Sequence, residues 1–201
     1  MSTILVTGFE PWDHWPHNPS GDIALALNGK TIGGCEIVSA ILPVKHGEDM
    51  AMVKPLIDTY QPLAIVSLGL HGAASVLHVE RVAVNLKVIA GHDYPVVDGG
   101  PDAYFATLPT REMVAVMNET TQIPAQLTYS AGTFLCNHIM YQVLHHCAVN
   151  DLDVKAGFIH LPPTPDMVLG THKASMSLAD TQRGVVAGLQ VVAKNVNVLP
   201  L

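Results

Sequence analysis

Apolar residues recur along this chain in short β-like runs separated by stretches with helical spacing. Ile4 to Thr7, Glu36 to Leu42, Leu63 to Leu68, Val79 to Leu86, Gln126 to Tyr129 and Val154 to Leu161 read as strands. Between them, Ser20 to Leu27 reads as a helix with Ser20 as its cap, and Gly47 to Tyr60 carries Met50, Val53, Ile57 and Tyr60 at helical intervals. Thr110 to Met117 follows Pro109, and Asn137 to His146 and Leu178 to Lys194 complete the predicted helices. Strands alternating with helices predict an α/β fold, a central twisted mixed sheet flanked by helices on both faces, with functional residues in loops beyond the strand carboxyl ends. Gly91 to Pro101 (GHDYPVVDGGP) is the richest loop signal, either an active-site lid or a long surface connection.

Composition narrows this picture. At 201 residues and 49% hydrophobic content, the chain can bury one sizeable core and is too short for two ordinary domains, so residues 1–201 read as a single domain. A formal charge of −7 with scattered basic residues argues against a phosphate-binding surface and so against nucleic acid as a partner. Met1 leads straight into an apolar segment without a basic leader, and no run of roughly 18 apolar residues occurs, which predicts a soluble cytoplasmic protein with no membrane partner. Cys35, Cys136 and Cys147 are too few and too irregularly spaced for a disulfide framework. A reducing compartment would keep them as thiols, and one could be reactive.

Cys136 follows Ser130-Ala-Gly-Thr-Phe-Leu, where a strand gives way to a helix opening near residue 136. A thiol in a helix's first turn feels the positive end of the dipole and unpaired backbone N–H groups, which favour the thiolate and could receive an oxyanion. As a lone cysteine it reads equally as a small buried core residue. His160 ends the apolar run Ala156-Gly-Phe-Ile-His before Leu161-Pro-Pro, which places it at a strand's carboxyl end, as a base or as a core histidine bonded to a carbonyl. Glu80 shares strand parity with Val82, Val84 and Leu86. A carboxylate on an apolar face needs a partner, whether near Arg81, in a backbone cluster, in a structural salt bridge or on a histidine. Cys147 fits a core role, and Cys35 sits at a loop-to-strand junction with no evident partner. His138, His145 and His146 invite a metal, but neither H-E-x-x-H nor C-x-x-C is present, so no metal or other cofactor is expected. Gly8 follows the first strand without a phosphate-loop motif, and there is no G-x-S-x-G elbow.

Taken in order, Ile4-Leu-Val-Thr-Gly-Phe-Glu-Pro, Asn18-Pro-Ser, Leu42-Pro-Val, Glu80-Arg-Val-Ala-Val-Asn, Tyr104-Phe-Ala-Thr-Leu-Pro, Ser130-Ala-Gly-Thr-Phe-Leu-Cys-Asn-His, Gly157-Phe-Ile-His-Leu-Pro and Ser175-Met-Ser-Leu resemble the pyroglutamyl-peptidase I family of cysteine peptidases over most of the chain. The resemblance implies a catalytic triad of Cys136, His160 and Glu80, a single α/β domain, and a homodimer or homotetramer acting on peptides with an N-terminal pyroglutamate. Such a neutral lactam calls for apolar walls and a few backbone hydrogen bonds. Phe9, Trp12, Phe134 and the neighbouring Leu135 are the candidate walls. The sequence departs from the family where an arginine is common, about ten residues after the triad glutamate: here Lys87-Val-Ile-Ala-Gly-His-Asp-Tyr puts Ala90 in that place. The His71-Gly-Ala-Ala loop lacks an arginine too, and the segment between Val168 and Ser175 is short. Slower turnover or altered preference is expected unless Lys87 or His92 supplies the charge. The alternative is a weak or inactive family member that binds blocked peptide N-termini. A nucleoside-type phosphorolysis, by fold analogy, has no basic phosphate site to support it.

Overall fold

The structure is a computed structural model and describes residues 2–197. Its centre is β1 (Thr3–Phe9), buried along its whole length, which is why its sequence is a continuous apolar run. Parallel strands β3 (Cys35–Leu42) and β4 (Ala64–Leu70) flank it. β11 (Lys155–Leu161) lies parallel to β4, then β5 (Leu77–Glu80) runs antiparallel to β11, and β10 (Ala125–Thr128) closes that edge. The short β2 (Thr31–Ile32) completes a seven-stranded mixed sheet, ordered β10-β5-β11-β4-β1-β3-β2.

Alternation along β1 sorts the core into two layers. Ile4 and Val6 pack toward α1 (Pro19–Leu27), α3 (Thr110–Glu119) and α5 (Leu178–Val196). Leu5 and Phe9 pack toward α2 (Glu48–Tyr60) and α4 (Leu135–Val149). The expected α/β sheet covered on both faces is therefore what the chain forms.

Three expectations need correction. The cap of α1 is Asn18, whose Oδ1 accepts from the Ser20 N–H at 3.1 Å, while the Ser20 hydroxyl accepts from the Phe9 N–H at 3.0 Å. Gly8 permits that junction: a methyl there would meet the Ser20 carbonyl oxygen at 2.2 Å. The run from Val79 to Leu86 is not one strand. At Arg81 the chain changes partner, its N–H donating to Thr128 and its carbonyl accepting from Ala106. It then continues as β6 (Val82–Val84), paired with β9 (Ala103–Phe105), so that Ala83 rather than Val82 is buried and the parity running on from Glu80 is lost. The loop at 91–101 is partly strand. β7 (Lys87–Ile89) and β8 (His92–Tyr94) form a hairpin turned at Ala90 and Gly91, both at positive φ. The remainder is stapled down by the Asn85 amide, bonded to Val97 and Gly100, and by the Tyr141 hydroxyl, which donates to the Pro101 carbonyl at 2.7 Å.

Candidate active site

Register decides which side chains meet. Glu80 is opposite Phe158 across the antiparallel β5–β11 pair, and His160 lies two residues further along β11. Glu80, Phe158 and His160 thus share one face, the face against which α4 packs. Both polar side chains are buried, His160 at 4% exposure and Glu80 at 1%. They meet at 2.8 Å between His160 Nδ1 and Glu80 Oε1. A carboxylate can only accept, so Nδ1 carries the proton and Nε2 is left for another partner. Among the described residues no group bonds the second Glu80 oxygen, which leaves its charge dependent on the imidazole.

That other partner is Cys136. It is the second residue of α4, a helix that begins two residues earlier than expected, at Leu135. The chain reaches it through Gly132, at φ 81°, and an extended Phe134 that stands at the cap position without a capping side-chain bond. A phenylalanine where Ser, Asp or Asn is favoured leaves the first-turn N–H groups uncapped. The first α4 bond in this turn runs from the His138 N–H to the Phe134 carbonyl, so the N–H groups before it are available to a ligand oxygen. Burial alone would push the His160 pKa down, but the charge of Cys136, a hydrogen bond to it and the Glu80 contact together raise it to about 9. The arrangement sets a protonated imidazole against the Cys136 sulfur.

Sequence reasoning missed two supporting residues. Gly69, on β4, stands opposite His160, and a Cβ there would meet Cys136 Sγ at 2.9 Å and Phe158 Cζ at 2.6 Å. Glycine therefore makes room for the thiol. Asn137 braces the start of α4: its Oδ1 accepts from the Val84 N–H at 2.8 Å and its Nδ2 donates to the Val84 and Leu86 carbonyls. A helix-disfavoured Asn directly after Cys136 was the available signal for it.

The expected wall residues Phe9, Trp12, Phe134 and Leu135 line one small cleft of about 60 Å³ that ends on Cys136, joined by Asn18, Val44 and Leu70. Trp12 and Phe134 face each other with ring centres 5.5 Å apart. Ala90 lies at the exposed hairpin tip. Lys87 sits close enough to His46 for its charge to help depress that histidine, although burial is the larger cause. His92 is exposed on β8.

The other candidates are placed elsewhere. Cys147 is buried, and burial pushes its thiol up to about 11. Cys35 has a partner after all, since the Asn197 amide donates to its sulfur at 3.3 Å. His138 pairs with Asp49, His145 with the Tyr104 hydroxyl, and His146 with Asn150. Among the described residues no helix is long and apolar enough to cross a membrane.

Comparison with known proteins returns one family. A sequence model described as pyroglutamyl peptidase matches residues 2–195. The chain is 39% identical to the pyrrolidone-carboxylate peptidase of Escherichia fergusonii, over 91% of this chain and 88% of that protein. It is 38% identical to the pyrrolidone-carboxylate peptidase of Mycobacterium marinum, over 97% and 94%. The solved pyrrolidone carboxyl peptidase of Thermococcus litoralis superposes with a TM-score of 0.93 at 32% identity, covering 100% of both chains. None of these names supports an inactive binder.

Proposed function

The chain belongs to the pyroglutamyl peptidase family of cysteine peptidases, and we propose from that premise that Cys136, His160 and Glu80 carry out the removal of N-terminal pyroglutamate from peptides. The Cys136 thiolate attacks the pyroglutamyl carbonyl carbon, forming a C–S bond. The oxyanion is received by N–H groups of the first α4 turn. His160 gives its proton to the departing nitrogen as the amide C–N bond breaks. Water then donates a proton to His160 Nε2 and attacks the thioester, releasing pyroglutamate and the thiolate. Glu80 holds the ring in one tautomer and stabilises the imidazolium. The aromatic cleft takes the lactam ring.

The observation that carries this reading is the conjunction of a helix-start thiol with an imidazole tied at 2.8 Å to a buried carboxylate. The test is turnover of a chromogenic pyroglutamyl amide under reducing conditions, beside Cys136→Ser and the free-amine glutamyl analogue. Wild-type turnover is expected, with none from Cys136→Ser and little from the glutamyl analogue. No turnover by the wild type would sink the reading, and an active Cys136→Ser protein would show another nucleophile.

The reading extends to residues 1–201 as a single catalytic domain working without cofactor in the cytoplasm, where reducing conditions keep Cys136 free. It also takes the protein to be a homodimer or homotetramer. Exposed Phe105 and Tyr129, both 64% accessible, support assembly. Light scattering on the eluted protein tests it, and a monomer mass at micromolar concentration would refute it.

A further inference from the structure

The cleft on one side of Cys136 is suited to the pyroglutamyl ring, whereas the released peptide must depart past His160, the group that protonates it. On that side the His71 ring stands edge-on to His160 at 5.3 Å, in the exposed loop after β4. The next residue, Gly72, lies against Trp15: a methyl there would touch the indole Cζ2 at 3.7 Å. Lys173 lies over the Trp15 face, its ammonium 5.6 Å from the ring centre. The loops following β1, β4 and β11 thus build a wall that runs from His160 through His71 and Trp15 to a cation.

This wall is tied together. His17, two positions after Trp15, meets Asp22 at 2.7 Å through Nδ1, and meets Asp166 at 3.0 Å and the Thr164 hydroxyl at 3.1 Å through Nε2. Asp166, in the loop that carries Lys173, is therefore committed to His17. Among the described residues no carboxylate is within ion-pair distance of Lys173. His71 adds no competing charge. Burial and the nearby His160 both lower its pKa, and its Nδ1 accepts from the Ala73 N–H.

We propose that Trp15, His71 and Lys173 form the subsite for the first residue of the leaving peptide, and that the Lys173 ammonium selects peptides with an acidic residue directly after the pyroglutamate. The inference rests on the peptidase reading above. The indole offers an apolar face to the side-chain stem, and the ammonium faces its carboxylate.

The test compares kcat/KM for pyroglutamyl-Glu-amide, pyroglutamyl-Gln-amide, pyroglutamyl-Lys-amide and pyroglutamyl-Gln with a free C-terminal carboxylate. For wild type the Glu amide should exceed the neutral Gln amide by roughly two- to fivefold, carried by KM and shrinking with added salt. Lys173→Met should equalise the two, and Lys173→Glu should turn the preference toward the Lys amide. Lys173 is exposed, so neither variant threatens folding. Equal cleavage of the amides by wild type, or a preference that survives Lys173→Met, overturns the subsite alone. A preference for the free C-terminal carboxylate over the Glu side chain also overturns it, by assigning the ammonium to chain ends. Failure to cleave any of the four overturns the peptidase reading and the subsite with it.

Discussion

Two buried histidine–carboxylate pairs occupy the same side of the sheet, and only one is proposed to take part in catalysis. His160 meets Glu80 at 2.8 Å, and His138 meets Asp49 at 2.7 Å, each through Nδ1 and each with almost no solvent contact. What separates them is the surroundings of the rest of the ring. His160 looks onto Cys136 and an open cleft. His138, two residues after Cys136 on α4, packs edge-on against His46 at 5.1 Å, and His46 in turn meets Phe134 at 5.4 Å. In the proposed mechanism the first pair has a nucleophile to act on. The second joins the start of α2 to the start of α4 and backs the wall residue Phe134, so it is architecture beneath the cleft. A buried histidine–carboxylate pair therefore says little by itself about chemistry.

Isosteric substitutions should separate the pairs most widely. In Glu80→Gln the amide no longer enforces the tautomer or stabilises an imidazolium, so kcat should fall by roughly 10³–10⁴-fold, with about 1.5–3 kcal/mol lost in urea unfolding as well. Asp49→Asn should cost stability alone. Loss of one charge-assisted hydrogen bond at a buried helix start should cost about 1.5–3 kcal/mol in urea unfolding and leave kcat within a few fold. A large kcat loss in Asp49→Asn with full stability would erase the distinction.

Gly69 extends the contrast to the sheet beneath the thiol. Its missing Cβ leaves space that Cys136 Sγ and Phe158 already press upon, at 2.9 and 2.6 Å from where a methyl would stand. Gly69→Ala should displace the sulfur from His160 and reduce kcat by about 10²-fold, since a shift near 1 Å suffices for that loss. Rates of thiol alkylation measured beside kcat would show whether the sulfur moved, and an unchanged alkylation rate with unchanged kcat refutes the role.

These residues also mark how far the sequence could be read. Cys136, His160 and Glu80 carried local signs: a strand-to-helix junction, a strand stopped by prolines, and a carboxylate on an apolar run. Family resemblance supplied the common purpose proposed for them. Gly69 carried no such sign, because its need for glycine comes from a sulfur on another element. The His138–Asp49 pair spans 89 positions, and on the helix alone His138 looked like one of three spaced histidines. The partner change at Arg81 was hidden for the same reason. Period-two alternation shows that a segment is extended, not which strand it pairs with, so β5 and β6 read as one.

The wild-type pH profile probes the chemical pair alone. The folded pKa of His160, about 9, lies above its ordinary 6.5. The protonated ring therefore stabilises the fold fully below about pH 6.5, and that contribution is lost as pH rises through about 9. Leaving-group protonation needs the same proton, so kcat/KM, which reports the free enzyme, should decline through pH 9, approaching roughly tenfold per unit above it. Asp49→Asn should keep that limb, whereas residual activity in Glu80→Gln should lose it at lower pH. A limb that stayed fixed in Glu80→Gln would assign it to another group.

The smallest effect is expected where the two regions share a border, the β7–β8 hairpin. Its Val88 N–H donates to the Thr133 carbonyl at 3.1 Å, three residues before Cys136, and its Lys87 charge is felt by His46, beside the second pair. At its tip Ala90 holds φ at 51°, a left-handed conformation that strains any residue with a Cβ, and the position is exposed, so no contact compensates. Ala90→Gly relieves that strain and adds chain entropy to the unfolded state; the balance should raise stability by about 0.5–1 kcal/mol, read as a shifted urea midpoint at constant slope. Because Val88 rather than the tip carries the bond to Thr133, kcat/KM should stay within the error of the assay. If it changes severalfold instead, the hairpin tip belongs to the chemical region, and the boundary between the two pairs must be redrawn to include it.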